Sequence, residues 1–147
     1  MTPFTKVYEV FLSRILEDEW THWTQEEVEQ DLYQIMMAAL PYFKFPRVSL
    51  QEYDGEGFDA DLNNEEIQII ANYMKCEWLN RCIMTWENIK PLYEEKDFSQ
   101  ANLLDKLNQA LVYERKNAKT VENYYYRSIK GKPYEYSKWG TRIGKDS

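Results

Sequence analysis

The chain's one histidine lies in a pattern that could belong to a metal site. Glu19 and His22 stand three residues apart, the spacing at which a helix presents a carboxylate and an imidazole to a di-iron centre. Such a centre also needs a second Glu-x-x-His pair and two more inward-facing glutamates, and a chain with one histidine has no second pair. We therefore expect no metal here and interpret His22 as an exposed or helix-capping side chain.

Motifs for nucleophilic or nucleotide chemistry are absent from the sequence. It contains no G-x-x-x-x-G-K-[ST], no G-x-G-x-x-G and no G-x-S-x-G. Cys76 and Cys82 lie in an apolar segment, where a thiol is buried and inert rather than activated. They would point to different faces of a helix, which disfavours a disulfide. We expect two reduced thiols, no catalytic residue, no cofactor and no enzymatic activity.

Charge divides the chain into an acidic body and a basic end. Residues 1–112 hold 9 Lys and Arg against 21 Asp and Glu, whereas residues 113–147 hold 9 against 4. The basic end interleaves cations with aromatic rings, as nucleic-acid-binding segments do, but the acidic body would repel phosphates. Such a split can also guide one end of the molecule toward an acidic surface, which in a homo-oligomer could belong to the neighbouring subunit. A solvated face with ordinary lysines would look the same.

Apolar residues recur at helical spacing along the chain. This pattern predicts an all-α fold, a four-helix antiparallel bundle. Thr2 as N-cap and Pro3 in the first turn should open the first helix, which is expected to end near 17–20. A capping box at Thr24–Glu27 should begin the second helix, and Pro41 should end it, because the residue before a proline avoids helical angles.

The central helix is predicted over 64–90, behind a capping segment at Asn63–Glu66. Its apolar residues cover so wide an arc that it should be packed on more than one side, by other helices, by other subunits or by both. A last helix starting at Asp97 or Ser99 should return antiparallel along it. The aromatic content of 16% also favours an assembling protein. We predict these subunit-interface residues: Trp78, Leu79, Trp86, Tyr124, Tyr125 and Tyr126.

The bundle domain is predicted to span 1–129, with a long loop over 42–62 and an extended C-terminal arm over 130–147. The loop, which could include a short strand near 45–50, is either functional or a plain surface connection packed down through Phe45, Leu50 and Phe58. The arm is basic and rich in aromatic residues, so it should order on a partner unless it packs on its own domain. Its predicted partner-binding residues are Tyr134, Tyr136, Trp139, Arg142 and Ile143.

The N-terminus lacks the basic and apolar regions of a signal peptide. No apolar stretch approaches the roughly 18–20 residues of a membrane span. We expect a protein without a membrane partner, made in a cytoplasm or built into a particle that assembles there.

Two segments resemble small neck proteins of tailed bacteriophages that infect Gram-positive hosts. The first is 71–83, ANYMKCEWLNRCI, and the second is 96–107, KDFSQANLLDKL. In these neck proteins a helix of the pattern A..M...WL...I precedes a Lys-Asp-Phe segment and a helix start of the pattern S.AN.L..L. The FPR–L–YD stretch at 45–54 fits the same pattern. The matching residues of the two helices and their connector are Ala71, Met74, Trp78, Leu79, Ile83, Lys96, Asp97, Phe98, Ser99, Ala101, Asn102, Leu104 and Leu107.

The resemblance implies a head-to-tail connector, or adaptor, in the virion neck. Such proteins are helical and form a homo-oligomeric ring beneath the portal protein, usually with twelve subunits, that extends the channel for double-stranded DNA without binding it specifically. Their C-terminal segment often docks on the portal, which would assign residues 130–147 to portal binding, and the other side of the ring would meet the next neck or tail protein. The alternatives are another phage assembly protein, such as a stopper or tail-completion factor, and a non-viral helical regulator that binds a protein partner.

Overall fold

The computed structural model describes residues 1–15, 23–89 and 98–128, and within them the side chains outside 86–89 and 98–102. Strand β1 (Thr2–Pro3) leads into α1 (Phe4–Leu12), and α2 (Gln25–Ala39) continues into a 3-10 turn (Leu40–Tyr42). Strand β2 (Gly57–Phe58) precedes α3 (Asn64–Ile89), and α4 (Phe98–Tyr126) follows. The fold is mostly helical, as the apolar periodicity predicted. Glu19, His22, Asp97 and the arm at 130–147 lie outside the described residues.

Helix α3 is the centre of the molecule. Helices α1, α2 and α4 all pack against it, and no residue from Glu66 to Ile83 is exposed. Helix α4 runs antiparallel to it, because Tyr73 bonds to Glu122 whereas Lys75, further along α3, bonds to Glu114. The apolar breadth of α3 over this stretch is therefore covered within one chain, and it does not by itself require a neighbouring subunit.

Two helix starts are set by side-chain caps that the sequence predicted. The Thr24 hydroxyl accepts a hydrogen bond from the Glu27 N–H at 3.2 Å. The cap of α3 is reciprocal, because the Asn63 side chain accepts from the Glu66 N–H and the Glu66 carboxylate accepts from the Asn63 N–H, both at 2.8 Å. These bonds satisfy backbone donors that the first helical turn leaves without an intrahelical partner.

The N-terminus differs from the prediction that Thr2 caps α1. That helix begins at Phe4, and the Thr2 hydroxyl instead donates to the Ala60 carbonyl at 2.9 Å and accepts from the Leu62 N–H at 2.8 Å. Thr2 and Pro3 pair antiparallel with Phe58 and Gly57. The capping prediction was wrong because the hydroxyl is committed to the loop before α3. Helix α1 also ends at Leu12, earlier than the predicted 17–20.

The loop between α2 and α3 is packed down rather than open. Phe43, Leu50 and Phe58 are buried in the common core, and the Phe4 and Phe58 rings meet edge to face at 5.0 Å. Its strand lies at Gly57–Phe58 and not at the predicted 45–50. Phe45, expected to pack down, is 73% exposed.

Gly57 is the residue of this loop at which a side chain would not fit. A Cβ there would lie 2.4 Å from the Thr2 carbonyl oxygen and 2.8 Å from the Pro3 Cα, whereas a Cβ at Gly55 would have nothing within 4 Å. We predict that Gly57→Ala lowers the free energy of unfolding by about 1–3 kcal/mol, because the β1–β2 pair must separate. Gly55→Ala, the matched control, should change it by no more than about 0.5 kcal/mol. Urea unfolding measures both, and equal effects would contradict this account of the β1–β2 contact.

Candidate functional site

Two buried carboxylates organise the junction of α3, α4 and the loop. Glu66 is 2% exposed and Glu122 is fully buried, although Glu66 looked from the sequence like a solvated residue of a helix start. Burial of an ionised carboxylate costs several kcal/mol unless hydrogen bonds replace its water. Each of these carboxylates therefore needs a set of donors, and those donors come from three separate parts of the chain.

Glu122 accepts three hydrogen bonds. The Tyr73 hydroxyl on α3 donates to one oxygen at 2.5 Å, and the Tyr126 hydroxyl and the Lys44 N–H (3.1 Å) donate to the other. The Lys119 ammonium lies 3.6 Å away. Burial acts to raise the pKa of the Glu122 carboxyl, but the bonds from Tyr126, Tyr73 and Lys44 outweigh it and hold the pKa below its ordinary value. Glu122 therefore stays ionised at neutral pH.

Glu66 binds the second tyrosine of the same run. The Tyr125 hydroxyl donates to its free carboxylate oxygen at 2.7 Å, while the other oxygen accepts from the Asn63 N–H. The same hydroxyl accepts from the Arg47 N–H at 2.7 Å. Burial, followed by the bond to Glu66, raises the pKa of Tyr125 well above its usual range, so its proton is held between α3 and the loop.

Arg47 closes the junction from the loop side. Its guanidinium donates to the Tyr125 carbonyl and to the Ser128 hydroxyl (2.8 Å), and its centre lies 4.2 Å from the centroid of the Tyr125 ring. A planar guanidinium can fork between two acceptors and stack on a ring at once. We call Arg47, Glu66, Glu122, Tyr125 and Tyr126 the carboxylate–tyrosine latch. It holds the C-terminal end of α4 next to the point where residues 129–147 begin.

The latch is built for binding one part of the chain to another. Both carboxylates have their oxygens taken by internal donors, so neither is positioned to accept a proton from an outside molecule. Among the side chains that the structure describes, no group of three His, Cys, Asp or Glu could hold a metal ion. The arrangement explains how one segment of the chain is held to another.

A second polar feature lies beside the latch. Lys44, Arg115, Lys116 and Lys119, which we call the basic groove, line a depression together with Tyr42 and Tyr73. The centroids of the two stacked rings are 5.6 Å apart.

Cys76 and Glu77 also line the depression. Burial raises the pKa of the Cys76 thiol to about 11, so this cysteine is a weak nucleophile at neutral pH. Neither Cys76 nor Cys82 forms a disulfide.

The predicted interface residues fall into different environments. Trp78, Leu79 and Tyr125 are buried in the core of their own chain, and Tyr126 is half-buried in the latch. Tyr124 is 66% exposed and has surface to offer a partner. The Trp78 Nε1 donor is buried without a hydrogen-bond partner in the part of the chain described. The predicted residues outside the described side chains are Trp86, Tyr134, Tyr136, Trp139, Arg142 and Ile143.

Sequence reasoning predicted the capping role of Glu66 but missed its bond to Tyr125 and the roles of Arg47 and Glu122. A signal for Glu122 was present, because it stands four residues after Ala118 and three before Tyr125, on the buried face of α4. A carboxylate on that face needs donors, and the adjacent tyrosines are the nearest ones in sequence. Arg47 carried no comparable signal, since its partners lie about 80 residues away.

Comparison with known proteins adds no relative. The chain matches no family model, no curated protein and no solved structure. Of the helices in the described ranges, none has both the length and the apolar character of a bilayer-crossing segment.

The ionised state of Glu122 predicts an acid-sensitive contribution to stability. A carboxyl whose pKa is lower in the folded than in the unfolded chain stabilises the fold above the unfolded value, near 4.5, and loses that effect as the pH falls through the folded value. We predict that Glu122→Gln lowers the free energy of unfolding at pH 7 by about 1–3 kcal/mol, because an amide cannot accept from all three donors. The deficit should shrink below pH 4.5. Glu65→Gln, at an exposed site of α3, is the control, and a deficit that does not change with pH would contradict the assignment.

Arg47 should act mainly on the end of α4. We predict that Arg47→Lys speeds hydrogen exchange at the backbone amides of 124–128 and lowers the free energy of unfolding by about 1 kcal/mol. The reason is that Nη2 of Arg47 donates to Tyr125 and Ser128 while the planar guanidinium stacks on the Tyr125 ring, and a lysine ammonium has no planar group to stack. Arg115→Lys, which keeps an exposed charge on the same helix, should leave both quantities unchanged. Unaltered exchange at 124–128 in Arg47→Lys would show that the latch does not hold this end.

Proposed function

We propose that this chain is a structural subunit of a tailed-phage neck, a head-to-tail connector that forms a ring beneath the portal protein. Its body would be a four-helix antiparallel bundle, and its C-terminal arm would dock on the portal. The proposal is supported by the resemblance of residues 45–110 to neck proteins of phages with Gram-positive hosts. The virion would then be its location, and the host cytoplasm the place of assembly.

The observation that carries the proposal is the latch. Arg47 belongs to the FPR stretch that takes part in the resemblance, and it holds the end of α4 where the arm begins. A segment that binds a separate protein gains affinity when its starting point is fixed, because less freedom is lost on binding. The arm is basic and aromatic in sequence, which suits a partner surface with acidic and apolar groups.

Exposed apolar residues on α4 favour assembly. Val112, Tyr113 and Tyr124 are each about two-thirds exposed. Tyr113 and Tyr124 are eleven residues apart, about three helical turns, so they lie on one face. A ring of identical subunits needs two different surfaces that meet around the circle. We propose that this face of α4 takes part in one of them, with twelve subunits as the resemblance implies.

The acidic body suits the passage of DNA. Residues 1–112 carry 21 acidic against 9 basic side chains. A channel wall of that sign would repel the phosphate backbone and let the duplex slide without specific binding. In this proposal DNA is a passing cargo.

The first test is the size of the purified chain, alone and with the portal protein of the same phage. We predict rings by light scattering, either free or on the portal. Deletion of Gly131–Ser147 should leave the helical circular dichroism intact and abolish portal attachment. Replacement of Tyr134, Tyr136 and Trp139 by alanine should act like the deletion, whereas Lys145→Ala with Asp146→Ala should not. A stable monomer that does not bind the portal would contradict the proposed function, and normal attachment by the truncated chain would contradict the role of the arm.

A further inference from the structure

The loop before α3 is an exposed acidic surface. No lysine, arginine or histidine occurs from Val48 to Met74. Its exposed acidic side chains are Glu52, Asp54, Glu56, Asp59 and Asp61. Asp54 accepts bonds from two N–H groups of its own turn, and Asp61 pairs with the N-terminal amine. Glu52, Glu56 and Asp59, which we call the acidic loop, have no side-chain bond or ion pair with the described residues.

The basic groove is a surface of the opposite charge on the same chain. Lys119 has a long ion pair with buried Glu122, while the side chains of Lys44, Arg115 and Lys116 have no ion pair in the described ranges. Val112, Lys116 and Lys119 follow one another at i, i+4 and i+7, so exposed Val112 adjoins the cations on one face of α4. A surface of uncompensated positive charge favours a partner surface of negative charge, because complementary potentials steer association.

Within the described residues the acidic side chains of the loop form no ion pair with the cations of the groove, although Lys44 and Tyr53 line one depression between them. The acidic loop adjoins β1 and the start of α1, as the Phe4 N–H bond to the Glu56 carbonyl shows. The basic groove lies where α4, the middle of α3 and Tyr42 come together. No described hydrogen bond or ion pair joins the two. Two complementary surfaces at different places on one subunit produce head-to-tail contacts, and such contacts close into a ring when the rotation allows.

We propose that the basic groove of one copy binds the acidic loop of a second copy. The inference rests on the proposed ring and names the two faces that meet in it. Tyr53 packs on Phe4 and Phe58 within its own chain and is 43% exposed, so in this contact its exposed edge would lie against the groove with the charges of the loop around it. A phosphate-bearing ligand also suits four cations, but the acidic body repels a polyanion at long range. The chain itself supplies a matching surface in every neighbouring copy.

Paired charge reversals test the contact. One variant carries Arg115→Glu with Lys116→Glu, and the other carries Glu52→Lys with Glu56→Lys. All four side chains are exposed, so both variants should fold, which thermal unfolding checks. Each variant alone should raise the dissociation constant for self-association at least tenfold, as measured by sedimentation velocity. An equimolar mixture, or one chain with all four changes, should restore it, because every contact is again between opposite charges. Lys6→Glu with Lys106→Glu and Glu9→Lys with Asp105→Lys are exposed controls of equal charge change.

The outcomes separate this contact from the ring itself. Restoration in the mixture, together with weaker association at high salt, supports the groove–loop contact. Rings that form equally well in both reversed variants would overturn it and leave the proposed ring standing. A wild-type chain that stays monomeric, alone and with the portal, would overturn both. If inorganic phosphate binds at the basic groove and the charge reversal in the acidic loop leaves self-association unchanged, the groove is an anion site and the proposed contact is overturned.

Discussion

The burial of Glu66 and Glu122 constrains more of this structure than any other interaction. Their oxygens can be satisfied only if α4 lies in one register along α3, with Tyr125 opposite Glu66 and Tyr73 opposite Glu122. The Arg47 and Lys44 backbone donors then fix the loop between α2 and α3 on the same junction. An apolar contact tolerates sliding, whereas a buried charge with three donors does not. We therefore expect the latch to favour this register of α4 over shifted ones.

With this packing, the expected interface between copies lies on elements other than the central helix. Because no described residue of α3 from Glu66 to Ile83 is exposed, we propose that the ring contacts are made by α4 and by the loop before α3. Those surfaces carry opposite charges. The arm, whose starting point the latch holds, would supply a third contact, with a different protein. In this proposal the helical body contacts its ring neighbours through α4 and the loop before α3, and it contacts the portal through the arm.

The sequence predicted what depends on local periodicity and capping. The helical class, the caps at Thr24 and Asn63 and the unpaired cysteines all follow from neighbours within a few residues. It did not predict the latch, because Arg47 and Tyr125 are 78 residues apart and only the fold brings them together. The Thr2 cap failed for the same reason, since a distant loop competes for its hydroxyl. Tyr125, predicted as an interface residue, lies in the core of its own chain.

We propose that identical copies of this body meet through unlike faces in a ring and are attached to the portal by the arm. A single-particle reconstruction of the full chain bound to the portal protein tests this arrangement directly. We expect a closed ring of helical subunits, with α4 of each copy beside the 52–59 loop of the next and density for residues 130–147 on the portal. A portal without this ring, or a ring in which α3 rather than α4 forms the contact between subunits, would contradict it.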